Sequence, residues 1–113
     1  MHDMPTETPP FDIATMRAAA REATGVLGVL ANENRLLLLC QLSRGEQCVG
    51  DLETCLDLHQ PTLSQQLGVL RAEGLVNTRR EGKRIYYSIA DARVLALLGT
   101  LYEHYCPQRE CTP

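Results

Sequence analysis

The 113-residue sequence has no tryptophan, one phenylalanine and four tyrosines, so its core must be built from aliphatic side chains. Such a core suits packed helices better than a β-sandwich. No apolar run approaches the roughly 20 residues that span a bilayer, and the acidic N-terminus lacks a basic segment followed by an apolar one. We therefore expect one mostly helical, cytoplasmic domain without a membrane partner.

The sequence also lacks the usual catalytic patterns. Its three histidines are scattered at His2, His59 and His104, and we find no Ser/His/Asp set, carboxylate pair or phosphate-binding loop. We expect neither an enzyme nor a bound cofactor. The five cysteines are odd in number and lack scaffold spacing, which favours a reducing compartment where thiols are redox-active, metal-binding or buried.

Apolar spacing predicts two long helices near the start of the chain. The first begins after Asp12, a candidate N-cap, and ends near Ala31. Its apolar stripe consists of Ile13, Met16, Ala20, Ala23, Leu27 and Leu30. The second is capped by Asn32 or Asn34 and runs to Leu42; it is apolar almost all round and should be central.

Two shorter helices are predicted next. The third carries an apolar stripe, and we expect Cys55 to pack within it. The fourth has Pro61 in its first turn and ends before Gly74. The stripes are Val49, Leu52 and Leu56 on the third helix and Leu63, Leu67 and Leu70 on the fourth.

After Gly74 the apolar period changes from helical to alternating. Residues 75–80 and 83–89, separated by Glu81-Gly82, predict a two-stranded hairpin, and Asp91 caps a last helix that ends at Pro107. This order is that of a winged helix-turn-helix: mostly α with a small β-hairpin. We place it at residues 11–106, between a disordered N-terminal tail (1–10) and a C-terminal tail (107–113).

The charge distribution favours a nucleic-acid partner. The net charge is −3, but residues 59–87 hold five basic and two acidic residues, whereas the remainder holds six basic and twelve acidic ones. A positive surface on an acidic body can dock a phosphate backbone in one orientation. The basic residues that we expect to contact phosphate or a minor groove are Arg79, Arg80, Lys83 and Arg84.

The fourth helix has the chemistry of a recognition helix. Its leucine stripe points one way and leaves Thr62, Ser64 and Gln65 on or beside the opposite face, with Gln60 at the entry. Hydroxyls and amides can contact base edges, and glutamine can bond adenine with two hydrogen bonds. Each residue type is common on surfaces, so only the combination with a basic hairpin supports DNA binding.

Three segments carry a family resemblance: LANENRLLLLCQL, EQCVGDL and LHQPTLSQQLGVLRAEGLVNTRREGKRIYYSI. Together they resemble the ArsR/SmtB family of winged-helix repressors over nearly the whole chain expected to be ordered. The resemblance implies a homodimer joined through its first and last helices, an operator with inverted-repeat character, and release by an inducer. It places DNA contacts on Gln60, Thr62, Ser64 and Gln65. His59 stands where the family commonly has serine, so the helix cap there differs.

Metal-sensing patterns of that family are only half present. Where one pattern has CVC, this chain has Cys48-Val49-Gly50; a second pattern retains Asp91 and His104 but has Arg93 and Pro107 in the other places. A zinc-type ion takes about four ligands. The alternative of a metal-responsive repressor would use Cys48, Cys106, Cys111 and His104.

A different pair matches better. Cys40 in RLLLLCQL and Cys106 in LYEHYC are similar to the persulfide-sensing branch of the family, of the BigR and SqrR type. The resemblance implies that reactive sulfur species convert these thiols into an intramolecular di- or polysulfide, so that the repressor leaves its operator. A sensor of general thiol oxidants remains a third possibility. The sequence assigns no role to Cys48, Cys55 or Cys111.

Overall fold

The first two helices begin where the sequence predicts. In the computed structural model, which describes residues 12–106, α1 spans Ile13–Leu30 and α2 spans Glu33–Leu42. The Asp12 carboxylate accepts a hydrogen bond from the Thr15 amide at 2.6 Å, and the Asn32 side chain accepts one from the Arg35 amide at 3.0 Å. Each bond satisfies an amide that has no partner inside its helix. Of the two candidates Asn32 and Asn34, it is Asn32 that caps the N-terminus of α2.

The next two helices form the helix-turn-helix. Helix α3 spans Val49–Leu56 and α4 spans Thr62–Ala72. Helix α3 ends at Asp57, whose φ of 54° lies in the left-handed region that aspartate tolerates better than most residues. This turn changes the direction of the chain between α3 and α4.

Helix α4 ends before Gly74, as predicted. Gly74 has a φ of 77°, its amide donates to the Arg71 carbonyl at 3.0 Å, and the Leu75 amide donates to the Leu70 carbonyl at 3.0 Å. These two bonds are the Schellman arrangement, which satisfies the last helical carbonyls and favours glycine because no Cβ opposes the positive φ. The chain then enters the sheet directly.

The sheet has one strand more than expected. Strands β2 (Val76–Glu81) and β3 (Arg84–Ile89) form the predicted hairpin, but β1 (Gln47–Cys48) pairs antiparallel with β3 and gives the order β1-β3-β2. The predicted two-stranded hairpin is therefore confirmed, and β1 adds a third strand to it. A two-residue strand is too short to show alternation, so no local pattern indicates β1. The hairpin turn is also shifted by one residue: Glu81 pairs with Arg84, which leaves Gly82 and Lys83 in the turn.

The core is aliphatic. Leu38, Leu39 and Leu42 of α2 are buried at its centre, as expected for a helix that is apolar almost all round. Leu52 of α3 and Val94 of α5 (Ala92–Tyr105) are completely buried against them. The three predicted leucines of α4 complete one side of this core: Leu63, Leu67 and Leu70.

Helices α1 and α5 leave apolar faces uncovered. Along α1, Ile13 and Leu27 are 67% and 51% exposed, and along α5 Tyr105 is 80% exposed. The stripe predicted on α1 is therefore present as a pattern, but only its end is buried within one chain. Among residues 12–106 no helix is long and apolar enough to cross a bilayer. The two predicted tails lie outside the described residues.

Candidate functional site

The polar face of α4 is presented to solvent because its leucines hold the opposite face in the core. Ser64 and Gln65 are exposed and Thr62 is half-buried. The burial of Leu63 and Leu67 fixes the rotation of the helix about its axis. The structure thus brings three of the four predicted recognition residues onto one accessible helical face.

The side chain of Gln60 caps α4. Its side-chain oxygen accepts hydrogen bonds from the Ser64 amide, at 3.2 Å, and from the Ser64 hydroxyl. Pro61 occupies the N-cap position and makes no side-chain cap bond. Gln60 therefore caps α4 in place of a serine, because an amide oxygen one residue further out can reach the same unsatisfied amides. This contact orients Ser64.

His59 joins the turn rather than the helix. Its Nε2 lies 2.9 Å from the Asp57 carboxylate and its Nδ1 lies 3.5 Å from the Glu53 carboxylate. The imidazole thereby links the end of α3 to the turn that follows it. The residue that replaces the usual serine thus contacts two carboxylates at the entry to α4 while Gln60 provides the cap.

The guanidinium of Arg79 is paired with two carboxylates, those of Glu46 and Glu81. Its Nε and Nη2 donate to the two Glu46 carboxylate oxygens at 2.9 and 2.7 Å, and its Nη1 donates to Glu81 at 3.1 Å. The guanidinium carbon lies 4.7 Å from the Tyr86 ring centroid, so the side chain crosses the central strand to the segment before β1. Arg79 lowers the pKa of Glu46 through these bonds, so the pair is charged at neutral pH.

The other basic side chains lie around the tip of the β2–β3 hairpin, which we call the wing (residues 76–89). Arg80, Lys83 and Arg84 are exposed. Lys83 and Arg84 also line a cavity of about 430 Å³ together with Cys48 and Asp51. The wing therefore presents three exposed cations, while the fourth predicted one is paired with carboxylates.

The two predicted sensor thiols lie on different helices. Cys40 is near the end of α2, half-buried and packed against the core. Its burial raises the pKa of the thiol, because the charged thiolate loses solvation. Cys106 is the half-buried C-cap residue of α5, and its amide donates to the Tyr102 carbonyl at 3.0 Å.

The oxidation states of these cysteines differ. Cys106 is disulfide-bonded, whereas Cys40 is a free thiol. The two sulfurs are therefore not bonded to each other in this structure, and the predicted bridge would be a second state of the protein.

The remaining cysteines have contrasting environments. Cys48 is a buried free thiol at the N-cap of α3, and Cys55 is an exposed free thiol. The expected packing of Cys55 is wrong because it lies beside, not within, the apolar stripe of α3.

His104 is exposed. Residues 12–106 contain no cluster of three or more His, Cys, Asp or Glu that could hold a metal, and Cys111 lies outside this range.

Two helices joined by a tight turn, with a β-hairpin wing beside the second, define a winged helix-turn-helix DNA-binding regulator. Residues 32–78 match the family model for bacterial regulatory proteins of the arsR family. The chain is 47% identical to a biofilm growth-associated repressor from Agrobacterium fabrum, and the alignment covers 95% of this chain and 98% of that protein.

Solved structures give the same result. The crystal structure of the transcriptional repressor BigR from Xylella fastidiosa is similar with a TM-score of 0.79 and 43% identity, covering 87% of this chain and 100% of that one. The homodimeric winged helix-turn-helix DNA-binding domain Mb0332 from Mycobacterium bovis is similar with a TM-score of 0.66 and 33% identity, covering 89% and 94%.

The chain belongs to the arsR family of bacterial regulatory proteins, in its BigR-like branch. It is a transcriptional repressor and not an enzyme, which confirms the function class expected from sequence.

Proposed function

We propose that this repressor acts as a cytoplasmic homodimer on operator DNA with inverted-repeat character. The uncovered apolar faces of α1 and α5 support this assembly, since a second copy would remove Ile13, Leu27 and Tyr105 from water. A two-fold dimer places two α4 helices in successive major grooves, about 34 Å apart. The accessible face of α4 is the observation that carries DNA recognition: Ser64 and Gln65 contact base edges, and the half-buried threonine at the start of the helix lies beside them.

Reactive sulfur species are the proposed inducer. The thiolate of Cys40 attacks the sulfane sulfur of a persulfide, forming Cys40–S–SH and releasing the thiolate of the donor. The reduced Cys106 thiolate then attacks the Sγ of Cys40, the Sγ–SH bond breaks, hydrosulfide leaves, and a Cys40–Cys106 disulfide forms. Attack on a longer sulfur chain leaves additional sulfur atoms in the bridge.

The position of Cys40 connects this chemistry to DNA. Cys40 lies on α2, which packs against both α1 and α4, while Cys106 ends α5. A covalent link between α2 and the end of α5 constrains the recognition helix against the dimer-forming helices. Because both half-sites must be occupied together, a small rotation removes one α4 from its groove.

Mass spectrometry tests the bridge. The full chain is reduced, freed of reductant, and treated with sodium tetrasulfide or with zinc alone. We expect peptides containing Cys40 and Cys106 to be joined by a disulfide or by a bridge with one or more added sulfur atoms, and sedimentation to give a dimer before and after treatment. Release of DNA by zinc without sulfur addition would instead identify the metal-responsive repressor, and equal bridging by hydrogen peroxide would identify a general oxidant sensor.

The raised pKa of Cys40 predicts strong pH dependence of its reactivity. Well below the pKa the thiolate fraction rises about tenfold per pH unit, so alkylation of Cys40 by iodoacetamide should accelerate about tenfold from about pH 7 to about pH 8. Quantitative peptide mapping measures this rate, with exposed Cys55 as the internal reference. A rate for Cys40 that levels off below about pH 8 would contradict the effect of burial.

The carboxylate partners of Arg79 predict that it differs from Arg80 in DNA binding. Arg79→Ala should leave the slope of log Kobs against log salt almost unchanged, whereas Arg80→Ala should reduce its magnitude by about 0.9 for each phosphate that the arginine neutralises. Fluorescence anisotropy from about 50 to about 200 mM salt measures both slopes. Equal reductions would show that Arg79 leaves Glu46 and binds phosphate.

A further inference from the structure

Arg35 joins three helices through one side chain. It lies in the first part of α2 and is half-buried. Its Nε donates to the Val29 carbonyl at 2.7 Å, its Nη2 approaches the Gly28 carbonyl at 3.5 Å, and its Nη1 donates to the Gln66 side-chain oxygen at 3.0 Å. Its own amide is fixed by the Asn32 cap. One guanidinium therefore connects the end of α1, the start of α2 and the middle of α4.

The contact between Arg35 and the C-terminal end of α1 follows from helix chemistry. The last carbonyls of a helix have no intrahelical donor and carry a partial negative charge. Helix α1 has no basic residue in its own last turn, and the Arg35 guanidinium meets the carbonyls of Gly28 and Val29 instead. The charge and both donors come from α2, so the end of α1 is held to the helix that carries Cys40.

The contact between Arg35 and α4 involves the recognition helix. Gln66 is half-buried and directs its amide oxygen to Arg35, while the adjacent Gln65 is exposed on the face proposed above to contact DNA. A hydrogen bond of this kind weakens steeply when its atoms separate by more than a few tenths of an ångström. The bond from Arg35 to Gln66 therefore couples the rotation and axial position of α4 to the position of α2.

We propose that Arg35 is a positioning residue that sets the register of the recognition helix relative to α1 and α2, and that movement of α2 reaches Gln65 through the Arg35–Gln66 bond. The second half of this inference rests on the proposed thiol switch. The planar guanidinium can donate to the α1 carbonyls and to the side-chain oxygen of Gln66 at the same time, because its donors diverge in a fixed plane. A lysine ammonium lacks this arrangement of donors. Arg35 thus converts displacement between two helices into displacement of the DNA-contacting face.

The first experiment isolates positioning from charge. Full-length Arg35→Lys, Gln66→Leu and the double variant are compared with wild type on a duplex that the wild-type protein selects from a random library, and on an unselected duplex. We expect each single variant to lose about tenfold in affinity for the selected duplex and less than about twofold for the unselected one. The double variant should lose no more than either single variant, because both remove the same bond.

Arg44→Lys is the matched control, since Arg44 is an exposed arginine just beyond α2. It should bind both duplexes as wild type does. Equal losses on selected and unselected duplexes, or fully additive losses in the double variant, would overturn the positioning role. Gln66→Leu provides the same test if Arg35→Lys folds poorly, because it leaves the cap on α1 in place.

The second experiment separates this inference from the thiol switch. Sodium tetrasulfide is added to wild type and to Gln66→Leu, and the ratio of operator affinities before and after treatment is measured. We expect a large ratio for wild type and a ratio several-fold smaller for Gln66→Leu. A wild-type ratio of one refutes the thiol switch while the duplex comparison still decides the positioning role; equal large ratios refute transmission through Arg35.

Discussion

Cys40→Ser should bind the selected operator duplex with the affinity of the wild-type protein and stay bound when sodium tetrasulfide is added. Serine preserves the size of the side chain at this half-buried position but cannot accept sulfane sulfur. Treatment of the wild type should weaken binding by a factor between about 5 and about 150, the usual range of coupling between two sites. Fluorescence anisotropy of the labelled duplex measures both proteins before and after treatment.

Two further variants complete this test. Cys106→Ser should also retain binding and lose release, because the bridge needs both sulfurs. Cys55→Ser removes an exposed thiol of α3 and should be released like the wild type. Release of Cys40→Ser or Cys106→Ser by tetrasulfide would overturn the assignment of the sensor pair, and failure of Cys55→Ser to respond would move the sensor to α3.

Local signals in the sequence predicted most of the fold. Asp12 and Asn32 accept the amide hydrogen bonds that begin α1 and α2, and Gly74 ends α4 with two backbone bonds. These features involve residues only a few positions apart, so their chemistry can be read along the chain. The leucine stripe of α4 was predicted for the same reason, since helical spacing fixes which residues share a face.

Contacts between distant segments were not predictable in this way. Strand β1 exists because Gln47 pairs with Tyr87 and Cys48 pairs with Tyr86, both partners lying far along the chain. The bond between Arg79 and Glu46 joins residues 33 positions apart, and nothing in the local sequence marks Arg35 as a link to α4. A basic residue has the same appearance in sequence whether it meets phosphate, a carboxylate or a helix end.

The exposed faces of α1 and α5 show a different limit. The apolar period of α1 predicts an amphipathic helix, and the helix is present, but Ile13 and Met16 are largely exposed in one chain. A pattern establishes that a face should be buried without identifying what buries it. This is why the apolar stripe supports the proposed homodimer while contributing little to the core of a single chain.

Gln65→Ala and Arg84→Ala should separate base recognition from phosphate binding. Gln65 is exposed on α4, where its amide can make two hydrogen bonds with adenine, so its removal should cost about 1–3 kcal/mol on the selected duplex and almost nothing on an unselected one. Arg84 is exposed on the wing, and its loss should weaken binding to both duplexes and reduce the salt slope by about 1.

The pair is informative because one variant removes a neutral side chain and the other removes a charge. Measuring both duplexes at several salt concentrations gives a specificity ratio and a slope for each protein. Gln65→Ala should change the ratio and Arg84→Ala the slope. If Gln65→Ala weakened both duplexes equally, α4 would not contact bases through this residue, and the selectivity of the repressor would have to come from the wing or from DNA shape.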